Sequence, residues 1–248
     1  MNLFDDYREF PPLHTATDFG LLAVGGRLTP ERVLRAYRRG IFPWPIVEGR
    51  DELLAWFSPD PRAVLELDAL YISRRLARRL RSGQFQLTCD QCFPAVMAGC
   101  AAPRDGDEVE DEDESETWIT ADMMRVYGAL HEQGHAHSVE AWQAGQLVGG
   151  IYGIGLGGFF AGESMFHRVR DASKVALVAL VAHLRARGYT LFDIQQATPH
   201  SVSMGATEIR RSRFVSRLRV AAALDVTFGT SLDLSQLPEM LARNEGLV

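Results

Sequence analysis

The sequence predicts an α/β protein whose mixed sheet is of the α+β type, preceded by a small N-terminal domain. Two observations carry that prediction. Segments 136–143, 147–154 and 158–165 are apolar, of strand length and separated only by turn residues, the pattern of an antiparallel meander. A helix-length run from Ser173 to Arg187, stopped by Gly188, then leads straight into YTLFDIQ, residues 189–195, so a helix carries the chain from the meander to a further strand.

The remaining elements follow in order. Residues 1–28 read as irregular and end in LLAVGG. LTPERVLRAYRRG comes next, with Thr29 placed as cap, Pro30 at the first helical position and Gly40 as stop, which predicts a short helix. IFPW follows, and residues 45–62 are turn-rich, with Ser58-Pro59-Asp60-Pro61 held extended or in turns. A boundary near residue 70 divides a small domain, 1–70, from a larger one, 71–248. The second part opens with a helix at 73–82, a strand at 85–88 and a helix at 91–101. An acidic loop, 105–116, precedes a helix at 121–133 that Thr120 caps and Gly134 closes.

With 248 residues, 46% of them hydrophobic, the chain can bury roughly 70–75% of its unfolded surface. The apolar run VALVALVAHL, 175–184, is too short to span a bilayer, and the N-terminus lacks a basic-then-apolar signal pattern. A cytoplasmic protein with no membrane partner is expected. Cys89, Cys92 and Cys100 are an odd number with no second paired motif, which points to ordinary thiols. The net charge of −6 is local: DGDEVEDEDESE holds nine acids, and without them the chain sums to +3. Arginines cluster in SRRLARRLR, 73–81, and RRSRFVSRLR, 210–219; Lys174 is the one lysine. Leu76 and Leu80 share a helix face, which leaves Arg74, Arg75, Arg78 and Arg81 outward as a phosphate-facing or simply solvated surface.

Alternation along 189–195 puts Asp193 and Gln195 on one strand face, where a carboxylate can hold an amide by its NH2 group. His135 and His137 lie two apart near Glu140, but no third metal ligand stands at a telling spacing, so no metal is expected. Gly153 to Gly158 match G-x-G-x-x-G formally. They lie between two hairpin strands, whereas a dinucleotide site needs the start of a helix there.

The blocks GLLAVGGRLTPERVLRAYRRGIFPW, WFSPDPRAVL, TWIT, LHEQGHAHSVE, LVGGIYG, GESMF, ASKVAL and FDIQ, then His200 and SMGA, run in order from about residue 20 to about 215. Together they resemble the leucyl/phenylalanyl-tRNA–protein transferase family. The resemblance implies a C-terminal domain of acetyltransferase-like (GNAT) fold and transfer of leucine, phenylalanine or, less readily, methionine from its tRNA. The acceptor implied is the N-terminal amine of proteins beginning with Arg or Lys, marked thereby for degradation. No cofactor, ATP or metal is implied, since the aminoacyl ester is already activated.

Residue by residue, the resemblance sets the catalytic pair on Asp193 and Gln195, and the acid that receives the acceptor's basic side chain on Glu163. The aminoacyl pocket falls on Ile151, Phe160, Met165, Leu177, Leu180 and Phe192, and the tRNA 3′ adenosine on Tyr37, Trp44 and Trp118. The partners implied are Leu-tRNA and Phe-tRNA, with the arginine cluster suited by its charge to the acceptor stem, and a monomer is expected. A glutamine amide takes no proton at neutral pH, so Asp193 is expected to orient Gln195, and Gln195 to align the amine. Two alternatives remain: an acyl-CoA-dependent N-acyltransferase, which would need a pyrophosphate loop of the Q/R-x-x-G-x-G/A kind, and a non-catalytic tRNA-binding protein.

Overall fold

The computed structural model describes residues 9–48, 51–102 and 118–245, so the acidic run 105–116 lies outside the described residues. From the N-terminus the chain forms β1 (Leu21–Val24), α1 (Pro30–Tyr37), β2 (Phe42–Pro43), the hairpin β3 (Ile46–Glu48) and β4 (Asp51–Leu53), then β5 (Ala55–Phe57) and β6 (Arg62–Leu65). Next come α2 (Arg74–Arg81), β7 (Gln86–Cys89), α3 (Phe93–Ala101) and α4 (Ala121–Glu132). The meander is β8 (Ala136–Gln143), β9 (Gln146–Leu156) and β10 (Phe159–His167), followed by α5 (Ala172–Arg187) and β11 (Leu191–Gln195). The chain continues through α6 (Pro199–Ser203), β12 (Ala206–Ile209), α7 (Arg211–Ala221) and α8 (Leu237–Glu245).

The helices begin where short polar side chains can satisfy their first N–H groups. Thr29, Ser73 and Thr120 accept from the backbone of Arg32, Leu76 and Met123, at 3.3, 3.2 and 3.3 Å. Gly188, at φ 86°, ends α5 in the left-handed conformation that glycine adopts without steric cost.

Two sheets result. A three-stranded one has the order β1-β5-β2, and a seven-stranded one the order β12-β6-β11-β10-β9-β8-β7. Within the large sheet every pairing is antiparallel except β10 with β11, the pair that α5 connects. The expected meander and crossover are present. The stretches expected to be irregular, however, contain strands: β1 lies within 1–28, and β3, β4 and β5 within 45–62. These strands are three or four residues long, and β1 and β5 pair across distant sequence, as Leu21 does with Phe57, so period-2 alternation has no length in which to show. β6 precedes the boundary expected near residue 70, yet it already sits inside the large sheet between β11 and β12.

Each face of the large sheet has its own core. On one face α5, buried on nearly all sides from Ala172 to Leu184, packs with Ile151, Phe160 and Phe192 of the sheet and with Leu76 of α2. A helix apolar all round is one enclosed by protein, and each such Val or Leu contributes about 1.5–3 kcal/mol. The other face carries Tyr152, Phe159 and Leu191, covered by α3, α4 and α7. Val33, Tyr37 and Trp56 of the N-terminal segment belong to this same core, so small and large sheets are joined by shared apolar contact.

Candidate active site

β10 and β11 pair at three positions: Phe159 with Leu191, Phe160 with Phe192 and Ala161 with Asp193. Beyond Ala161 the two strands part, since β10 stays with β9 as far as His167 while β11 continues against β6. Glu163 and Met165 follow the split on one lip and Gln195 on the other. The carboxyl ends of parallel strands are where α/β sheets leave room for ligands, and Glu163 and Gln195 lie just past that end of the β10–β11 pair.

Glu163 is aimed by a bulge. Gly162 pairs with Gly153 and Ser164 with Tyr152, which leaves Glu163 as the extra residue between them. It turns toward α1 and α4, where the Tyr37 hydroxyl donates to Oε1 at 2.5 Å and the Tyr127 hydroxyl to Oε2 at 3.2 Å. The two hydroxyls also lie 3.1 Å apart. Burial pushes the Glu163 carboxyl up to about 8, and Asp193 adds to the rise, while the tyrosine hydrogen bonds and Arg62 oppose it. Glu163 is thus held toward its protonated form. Burial and the neighbouring Glu163 hold both tyrosines far above their ordinary range, so they remain donors.

Asp193 is fully buried and meets Arg62, also buried, in a two-pronged ion pair. Arg62 Nε lies 2.8 Å from Oδ1 and Nη2 2.7 Å from Oδ2. Gln195 donates its backbone N–H to the same Oδ1 at 3.0 Å. This differs from the expected grip of Asp193 on the Gln195 side-chain amide. The register shifts between Asp193 and Gln195, and Gln195 takes φ 59°, which brings its main chain over the carboxylate. Its side-chain Nε2 is buried and finds no hydrogen-bond partner among the described residues.

The six pocket residues named from the sequence come together on the α5 face. Ile151, Phe160, Leu177, Leu180 and Phe192 are buried in one cluster, and Met165 is partly exposed against it. The Phe160 and Phe192 rings meet edge-on with centroids 5.9 Å apart. Gly162 keeps the split narrow, because a Cβ there would come within 2.9 Å of the Phe192 ring.

Of the three aromatics expected at the nucleotide, Trp44 and Trp118 lie together, with ring centroids 5.4 Å apart, and both are partly exposed. Tyr37 does not join them: it is 0% exposed and offers no face for stacking, its hydroxyl being committed to Glu163 and Tyr127. Arg74, Arg75, Arg78 and Arg81 are exposed on α2 as expected, but Arg75 also pairs with Asp171 at 2.8 Å. His137 is held by Asp90 at 2.7 Å, and Glu140 receives the hydroxyls of Ser138 and Thr88.

Sequence reading missed Arg62 and Tyr127. Tyr127 falls at core spacing with Met123, Val126 and Leu130, so its hydroxyl gave no signal. Arg62 did leave one: an arginine opening the apolar strand RAVL, all four residues buried, needs an acid inside the protein.

Comparison with known proteins sets this chain among the aminoacyltransferases. The model of the leucyl/phenylalanyl-tRNA protein transferase family matches residues 64–219, and that of the family's N-terminal domain matches 26–60. The chain belongs to this family. A leucyl/phenylalanyl-tRNA–protein transferase of Syntrophotalea carbinolica is 51% identical over 213 residues, covering 86% of this chain and 88% of the relative. A relative of the same name from Alkalilimnicola ehrlichii is 50% identical over 87% of this chain and 81% of its own length. A third, from Solidesulfovibrio magneticus, is 51% identical over 86% of this chain and 82% of its own.

Proposed function

We propose that this protein transfers leucine or phenylalanine, and less readily methionine, from aminoacyl-tRNA to the N-terminal amine of proteins beginning with Arg or Lys, marking them for degradation. The observation that carries the reading is the end of the β10–β11 pairing at Ala161 and Asp193, beyond which Glu163 and Gln195 stand on the two diverging strands, with the apolar cluster on the α5 face of the same strands. Trp44 and Trp118 hold the terminal adenine, and the apolar cluster takes the amino acid side chain. Glu163 receives the acceptor's guanidinium or ammonium, ionising as the cation arrives. The arginines of α2 lie along the acceptor stem. The order β7-α3-α4-β8-β9-β10-α5-β11, with its one parallel pair, supports an acetyltransferase-like fold. Among the described residues, no helix is long and apolar enough to cross a membrane. We place the protein in the cytoplasm, as a monomer.

In the reaction the acceptor nitrogen attacks the ester carbonyl, a C–N bond forms, and the ester C–O bond breaks. The tRNA 3′ oxygen leaves and takes a proton, and the amine loses one. With an α-amine pKa of about 7.7–8.0, a useful fraction of acceptors is neutral without a strong base. The side-chain amide of Gln195 aligns the nitrogen, so the rate comes mainly from positioning.

The test is transfer of labelled leucine or phenylalanine from loaded tRNA, without ATP or acetyl-CoA, to peptides beginning with Arg, Lys or Ala. Arg and Lys peptides should be labelled and the Ala peptide not. Glu163→Gln should raise KM for the basic peptides, and Asp193→Ala should nearly abolish turnover. A folded wild type that binds loaded tRNA but transfers nothing would leave tRNA binding as the function.

A further inference from the structure

Arg62 is 1% exposed and lies on β6, outside the opening between β10 and β11. Among the described residues its contacts are all internal. Nε and Nη2 go to Asp193, Nη1 donates to the Gly40 carbonyl at 3.2 Å, and the guanidinium lies between the Phe42 and Phe214 rings at 4.8 and 4.6 Å. Burying a charge this fully is costly unless each of its groups is satisfied, and such a pair is seldom kept for stability alone. The carboxylate it fixes has one further hydrogen bond, the Gln195 backbone N–H on Oδ1. That bond bears on an unusual conformation. Gln195 stands at φ 59°, a region that residues other than glycine seldom occupy and that persists where the surroundings over-determine it.

We propose that Arg62 is a positioning residue for transfer: its fork orients Asp193, Asp193 holds Gln195 in the left-handed conformation, and Gln195 thereby turns its unpartnered amide toward the reacting amine. The proposal rests on the role given above to Gln195. Geometry requires the fork. A lysine would supply the charge at one point and leave the carboxylate free to rotate, so that Oδ1 would no longer be fixed beneath the Gln195 N–H. Arg62 touches neither substrate and acts through Asp193 alone.

A double-mutant cycle tests this, using Arg62→Lys and Gln195→Ala separately and together in the transfer assay. Arg62→Lys should lower kcat about a hundredfold, the scale of a small misplacement of a reacting group, and leave KM for both substrates within about twofold. In the Gln195→Ala protein, adding Arg62→Lys should change the rate less than about twofold, since nothing remains for it to position. An equal loss in both backgrounds, or a loss expressed in KM, would overturn the proposal. Phe214→Leu, which loosens one flank of the guanidinium without removing it, should show a smaller loss with the same dependence on Gln195, and serves if the lysine variant fails to fold. With 15N-glutamine labelling, the Gln195 backbone amide should be strongly downfield in the wild type and move upfield in Arg62→Lys. An unmoved resonance would also overturn the proposal. This readout needs no turnover, so it separates failure of the Arg62 inference from failure of the transfer reading.

Discussion

Glu163 shows how one side chain can be specific by being expensive to ionise. Its folded-state pKa of about 8 lies above the ordinary 4.5, so between those values the folded protein holds a proton that the unfolded chain has released. The stability this contributes is complete below the ordinary value and is lost as pH rises toward 8, at no more than about 1.4 kcal/mol per pH unit. Chemical denaturation of Glu163→Gln across that range should give a flatter profile than the wild type, and parallel profiles would contradict the assignment. In the proposed role of Glu163, binding a basic N-terminus expels the proton. Calorimetry at pH 7 in two buffers of different ionisation enthalpy should show close to one proton released per Arg peptide bound, a release missing in Glu163→Gln.

At the scale of elements, β9 and β10 depend on a pair of facing glycines. A Cβ at Gly153 would fall 2.1 Å from the Ala161 carbonyl oxygen and 2.4 Å from the Phe160 ring, so neither strand can absorb it without moving. Gly153→Ala should cost about 1–3 kcal/mol in denaturant unfolding. Because Phe160 sits in the apolar cluster, the same change should shift the leucine to phenylalanine ratio; an unchanged ratio would place Phe160 outside the pocket. Helices α1 to α5 and the meander were legible because each is long enough to repeat a period and most carry a start or stop signal, as Thr120 and Gly134 do for α4, whereas α6, α7 and α8 were not anticipated. The hydrogen bonds that order the site were not. Arg62 and Asp193 are 131 residues apart and Tyr37 and Glu163 are 126 apart, and juxtapositions of that kind leave no mark on local periodicity. The bend at Gln195 was hidden for a related reason: strict alternation is the default for a strand, and only the carboxylate beneath it shows why the default fails.

For the whole molecule, charge is distributed against its own total. The protein is net negative, yet α2 presents exposed arginines, Arg74 and Arg78 among them, while Arg75 is paired with Asp171. Binding of aminoacyl-tRNA should weaken with salt, and Arg74→Gln or Arg78→Gln should each reduce the log–log slope by about 0.7–0.9. Arg75→Gln should reduce it less, because Asp171 already neutralises part of that charge. A slope unchanged in all three variants would move the acceptor stem to another face. One feature at this scale reaches into how such proteins are inherited. Tyr37, Gly40 and Trp44 stand within eight residues of one another, yet they touch Glu163, Arg62 and Trp118, three parts of the site built from the rest of the chain. The two segments are matched by separate family models, 26–60 and 64–219, but they are not separate heirlooms. A graft that took the first segment from one relative and the second from another would recombine two halves of a single active site. Its offspring would work only where both parents had kept the same three points of contact.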